Sequence, residues 1–210
     1  MSDVFKNCRG ERKKELVKQY EITPILRTKL LKGQSKDGCC GELTDVYYVF
    51  KYKENGGSSE GSFYVGDDCG KQFLDLIGKK ELPFLFNPLK EMSSGGGGSQ
   101  GNAGSPTDEK KQFNPLNSEL ICAIGLLIAA WNKPLNGLAL SIFEFTKLFP
   151  EKPNVRGVEN FNNHILSKDY HKRSLMSIYE SLKKENNLKE FTFERMHNHL
   201  IEQGIKSYIK

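Results

Sequence analysis

The sequence predicts a fold of α+β class in two parts: a small module built on a β-hairpin and a following helix, then an all-α helical bundle. Three observations carry this expectation. A run rich in β-branched and aromatic residues, Glu42 to Lys53, is followed by a Gly-rich turn and a second aromatic run. A glycine- and serine-rich stretch, Ser93 to Lys111, has no large apolar residue to offset the entropy of ordering it. Beyond it, apolar residues recur at helical spacing through the rest of the chain. These observations divide the sequence into an α+β domain with a basic arm at 1–92, a flexible Gly/Ser linker at 93–111 and a helical domain at 112–210.

The elements follow in order. Gly10 to Glu21 is a charged helix candidate, and Thr23 to Gly33 reads equally as an extended or a helical segment. Glu42 to Lys53 is a strand, "ENGGSSEG" with its Asn-Gly supplies the turn, and "SFYVG" returns as the partner strand. A helix then starts at Asp67 or Asp68, capped by aspartate, with Phe73, Leu74 and Ile77 inward and Gly78 at its end. After the linker, Asn117 or Ser118 caps a helix running to Trp131, apolar nearly all round, with Cys122 and Trp131 expected in the core. Further helices are expected over Gly137 to Leu148, Val158 to Leu166, His171 to Glu185 and Thr192 to Gln203. Leu175, Ile178, Tyr179 and Leu182 form one apolar stripe, and Phe193, Met196, Leu200 and Ile201 another. "FNPL" occurs on both sides of the linker, where Asn-Pro stops a preceding helix.

Composition bounds the function. The 210 residues are 37% hydrophobic and 27% charged, ordinary for a soluble globular protein. The amino terminus lacks the apolar run of a signal peptide, and Leu120 to Trp131 is shorter than the roughly 20 residues of a membrane span, so a cytoplasmic protein without membrane contact is expected. Its five cysteines then read as thiols or metal ligands rather than disulfides, and four of them lie in the first third. The net charge of +5 is unevenly spread: residues 1–36 hold ten Lys and Arg against four Asp and Glu, and residues 37–92 hold six against ten. Arg9, Arg12, Lys13, Lys14, Arg27, Lys29 and Lys32 are therefore the candidate contacts for DNA or RNA, the alternative being a solvated helix face.

Cys39 and Cys40 precede the hairpin and Cys69 lies in the first turn of the helix after it, where the helix dipole favours a thiolate. Folding the hairpin back brings these ends together. "CCGELTDVYYVFKY" followed by "FYVGDDCGKQFLDLIG" resembles the small bacterial treble-clef-like zinc modules, which pair a Cys-x-x-Cys-Gly knuckle with a later Val-Gly-x-x-Cys helix start. The resemblance covers residues 37–78 and implies a structural zinc, as in zinc-ribbon and treble-clef modules. This sequence departs from the pattern at Asp37, which falls on the first knuckle position, and at Gln72, where a last ligand often stands. The ligand set is then completed as Cys8, Cys39, Cys40 and Cys69. Two alternatives stay open: a degenerate module with Cys69 packed as a small hydrophobe, and a redox pair at Cys39 and Cys40.

No catalytic constellation assembles. There is no phosphate-binding Gly-rich loop, no nucleophile elbow and no His-Glu-x-x-His, and the first half of the chain has no histidine. The reading is a non-enzymatic two-domain adaptor with a zinc-ordered module, nucleic acid as the first candidate partner and a protein partner for the helical domain. The alternatives are a purely protein-binding regulator or inhibitor, and a winged-helix-like DNA binder in which Arg195, His197 and His199 face DNA ahead of a short β-prone tail. Solvent-facing histidines beside a core stripe are the plainer reading of those residues.

Overall fold

A computed structural model describes residues 3–82, 84–86, 89, 113–133, 135, 137–169 and 171–210. The chain is of mixed α and β structure and divides into two units, Met1–Asn87 and Pro88–Lys210. The expected linker at 93–111 lies outside the described residues.

In the first unit a short 3-10 turn at Asp3–Phe5 leads into helix α1 (Glu11–Gln19) and strand β1 (Tyr20–Lys29). A small hairpin follows, β2 (Lys36–Gly38) and β3 (Gly41–Leu43), then β4 (Val46–Glu54), β5 (Glu60–Gly66), helix α2 (Asp67–Leu76) and β6 (Phe84–Phe86). The main sheet has the order β5-β4-β1-β6, antiparallel except for the parallel β1–β6 pair. The ambiguous segment after α1 is therefore a strand, paired with β4 from Tyr20↔Glu54 to Lys29↔Val46. Its proline, which cannot donate to a ladder, sits where the register shifts between Pro24 and Leu26. The strand expected over Glu42 to Lys53 is two strands, because the chain turns at Asp45, whose carboxylate meets Lys29 at 2.9 Å and whose carbonyl accepts from Leu30 N.

One face of this sheet carries an aromatic core. Phe5 stacks on Phe63 with centroids 4.0 Å apart, and Phe63 meets Phe50 at 5.4 Å and Phe73 of α2 at 5.3 Å. Helix α2 begins as expected at Asp67, but its cap position is Gly66, without a side-chain cap bond. Asp67 instead pairs with Arg27 at 2.8 Å and Lys71 at 2.6 Å, so the expected aspartate cap is replaced by ion pairing in the first turn.

The second unit contains α3 (Pro115–Trp131), α4 (Gly137–Leu148), α5 (Val155–Lys168), α6 (Leu175–Lys183) and α7 (Glu194–Glu202). The cap of helix α3 is Asn114, three residues before Asn117 and four before Ser118, the two expected caps. Asn114 accepts from Leu116 N at 3.0 Å, with Pro115 in the first helical position where its missing N–H costs nothing. Asn117 is buried instead: its amide donates to the carbonyls of Pro150 and Lys152 at 2.9 Å, and its oxygen accepts from Asn154 N at 2.8 Å. Helix α3 packs against α4, α5, α6 and α7, which cover most of its apolar circumference. Cys122 and Trp131, expected in the core, are only half-buried.

The two stripes pack inward at Leu175, Ile178, Tyr179, Phe193, Met196 and Leu200, while Ile201 is 56% exposed. Residues 203–210 form no strand. The carbonyls of Tyr208 and Ile209 accept from Leu175 N and Met176 N, so the tail closes the start of α6 instead of forming a wing. Arg195 bonds Glu119 at 3.1 Å, His197 bonds Ser207 at 2.9 Å and His199 faces Glu159 at 3.3 Å; both histidines are half-buried within the unit.

Candidate metal centre

The site begins with a two-residue turn. Gly38 pairs with Gly41 across the β2–β3 hairpin, leaving Cys39 and Cys40 alone at its tip. Gly41 has φ of +133°, a conformation that side chains rarely adopt, so the glycine after the cysteine pair is a requirement of the turn. The tip is anchored on two sides: Cys39 N donates to Tyr64 O of β5 at 2.8 Å, and Asn7 N donates to Cys39 O at 2.6 Å. The first bond ties the knuckle to the strand that feeds α2. The second draws in the amino-terminal segment and with it Cys8.

Four sulfurs from three parts of the chain consequently meet. The Sγ atoms of Cys8, Cys39 and Cys40 all lie within 4.8 Å of one another, a group that can hold a metal ion. Cys40 Sγ is 3.9 Å from Cys8 Sγ, 3.2 Å from Cys39 Sγ and 4.0 Å from Cys69 Sγ. In a tetrahedral zinc tetrathiolate, with Zn–S of about 2.3 Å, sulfurs stand about 3.8 Å apart. The contacts to Cys8 and Cys69 match that edge, and the adjacent pair must open slightly to reach it. Cys8 and Cys39 are buried, and Cys40 and Cys69 half-buried. Asp37 lies exposed on β2 opposite Glu42, so this oxygen donor is not part of the cluster.

The electrostatics favour a thiolate at one of these sulfurs, Cys8. A hydrogen bond from Cys39 outweighs burial and, aided by Cys40 and Lys13, lowers the Cys8 thiol to about 7. The same contact with Cys8 and burial push Cys39 up, and burial pushes Cys40 up. Lys13 is 3% exposed, its ammonium 3.5 Å from Cys69 Sγ, hydrogen-bonded to Gln72 Oε1 and 5.5 Å from the Phe73 ring centroid. An ammonium taken out of water is costly unless an anion compensates it, and the lowered Cys8 thiol is the group whose charge Lys13 favours. Gln72, three residues past Cys69, holds the lysine rather than a metal.

Lys13 is thus misplaced among the expected nucleic-acid contacts, because its chain is buried against the cysteines. Arg27 is also turned inward, paired with Asp67 at 2.8 Å and Glu81 at 2.6 Å, with its guanidinium over the Tyr48 ring. Lys29 is paired with Asp45. Arg9, Arg12, Lys14 and Lys32 are exposed, with Arg9 Nη2 donating to Cys40 O at 3.0 Å beside the knuckle. The inward lysine was detectable in sequence: Lys13 and Leu16 share one face of the charged helix, with Tyr20 just beyond its end at the same spacing, and all three are buried.

No helix among the described residues is long and apolar enough to cross a membrane. No curated protein and no solved structure matches the chain. A family profile matches residues 6–208, which spans both units. The chain belongs to the family described as Uncharacterised conserved protein UCP028583.

Proposed function

We propose that the first unit is a zinc-organised, non-enzymatic binding module of treble-clef-like build, with a structural ion held by Cys8, Cys39, Cys40 and Cys69. The observation that carries this reading is the meeting of four sulfurs from a pre-helical loop, a hairpin tip and a helix start, with a buried lysine beside them. Four thiolates on zinc leave a net charge of −2, and Lys13 offsets part of it. The donor set is all sulfur, with no histidine or carboxylate in the group and no spare position for a reacting water, which supports a structural rather than a catalytic ion. A site of this kind stabilises a small module by about 10 kcal/mol or more, enough to decide whether residues 5–76 hold their shape. The exposed cations beside the knuckle, Arg9, Arg12 and Lys14, are its contact surface for a polyanion, and the helical unit is the second arm of an adaptor.

Metal analysis of the purified full chain, with Cys40→Ser and Cys69→Ser beside wild type, tests the centre. One zinc per chain in wild type, lost from both variants together with stability, is expected. A metal-free wild type whose unfolding is unchanged by either substitution overturns it.

A further inference from the structure

The helical unit contains a cavity of about 240 Å³ among α3, α4 and α5, remote in sequence from the cysteine cluster and unused by the reading above. Its floor is apolar: Ile124, Leu127 and Phe161 line it. Its rim carries Lys133 and Lys168, and no acidic side chain lines it among the described residues. Neither lysine has a carboxylate partner among those residues. We propose that this cavity binds a small amphipathic anion, a free monocarboxylate with an aliphatic chain, its tail on the apolar floor and its carboxylate between Lys133 and Lys168.

The surrounding groups support that assignment. Trp131 forms one wall, and the Asp169 carboxylate, just past the end of α5, is held by Arg173 at 2.9 Å. The acid is therefore already engaged, and the Trp131 ring offers its surface to a chain. His164 stands 5.9 Å from the Trp131 ring, and burial, then Lys168, push its imidazole below the usual range. It is neutral near pH 7, an extra donor or acceptor rather than a charge, which leaves recognition of the anion to the two ammonium groups. The volume falls below the roughly 300 Å³ at which pockets for drug-sized ligands begin, so a nucleotide is too large and a short carboxylic acid fits. Ala139 of α4 is the smallest of the residues that line it.

Trp131 is the only tryptophan, so its emission reports occupancy directly. The full chain is titrated with hexanoate, octanoate and decanoate, and with octanol as the uncharged match. Saturable emission changes are expected, tightening about fourfold per added methylene until the chain fills the cavity, with octanoate about tenfold tighter than octanol. Lys133→Gln combined with Lys168→Gln, both at exposed positions, should remove the preference for octanoate while leaving octanol binding in place. Ala139→Phe should abolish both, at unchanged helical circular dichroism; should that variant not fold, the paired lysine substitution decides alone. Absence of saturable change with every ligand, equal affinity for octanoate and octanol, or octanoate binding untouched by the lysine substitutions overturns the proposal.

Discussion

Single residues here are informative chiefly where a charge has been taken out of water. Lys13 and Asp169 are 3% and 4% exposed, and each is surrounded by groups that offset its burial. Asp169 receives Arg173 N at 2.7 Å and Arg173 Nη2 at 2.9 Å. These bonds to Arg173 outweigh burial and hold the carboxyl below its usual value. A folded-state value below the unfolded one means the stabilisation is complete above about pH 4 and is lost as pH falls through the folded value. Asp169→Asn should therefore lower stability by about 1–3 kcal/mol at pH 7, with a smaller loss in strongly acid solution, as read by urea unfolding followed across pH. Asn117 is the uncharged counterpart, joining α3 to the 150–154 segment through the carbonyls of Pro150 and Lys152 and the amide of Asn154. None of these partners is near in sequence, so the sequence offered Asn117 only as a cap.

At the scale of elements, α2 is placed by a residue with no side chain. A Cβ at Gly70 would overlap the Tyr48 ring, which is fully buried on β4. Alanine is the better helix former by about 1 kcal/mol, but the clash is with a ring that has no room to retreat. Gly70→Ala should therefore destabilise the first unit by about 1–3 kcal/mol, and Asp75→Ala on the exposed face of the same helix should change little. Both are checked by the midpoint of chemical unfolding. Because α2 also carries Cys69, the same contact sets how near that sulfur comes to Cys40. The hairpin β4–β5 and the helix after it were legible from β-branched and aromatic runs, the Asn-Gly turn and the glycine at position 78. Strand β1 was not, since Pro24 interrupts its pattern and only pairing with β4 and β6 decides it.

Across the whole molecule, charge is the property that sequence shows best and structure revises most. The basic excess in residues 1–36 suggests a polyanion, yet Lys13 and Arg27 are turned into the first unit and Lys29 is ion-paired with Asp45 at its surface. Arg9, Arg12, Lys14 and Lys32 remain at exposed positions. If they contact nucleic acid, binding should fall with salt at a log–log slope of roughly −3 to −4, about 0.9 per neutralised phosphate. Arg12→Glu with Lys14→Glu should flatten that slope and weaken binding, measured by mobility shift at graded salt. A wild type giving no shift at low salt rules the contact out.

The sequence by itself determined the mixed class, the hairpin with its following helix, the helical second half and the grouping of four cysteines around one hairpin. Those features depend on local periodicity and turn chemistry, which neighbouring residues settle among themselves. Tertiary structure alone decided how the Asn7–Cys39 bond brings Cys8 to the knuckle, that Lys13 turns inward toward Cys69, and that Trp131 walls a cavity instead of filling a core. Each of these rests on contacts between residues more than thirty positions apart, where the energy comes from burial and pairing that no local pattern encodes.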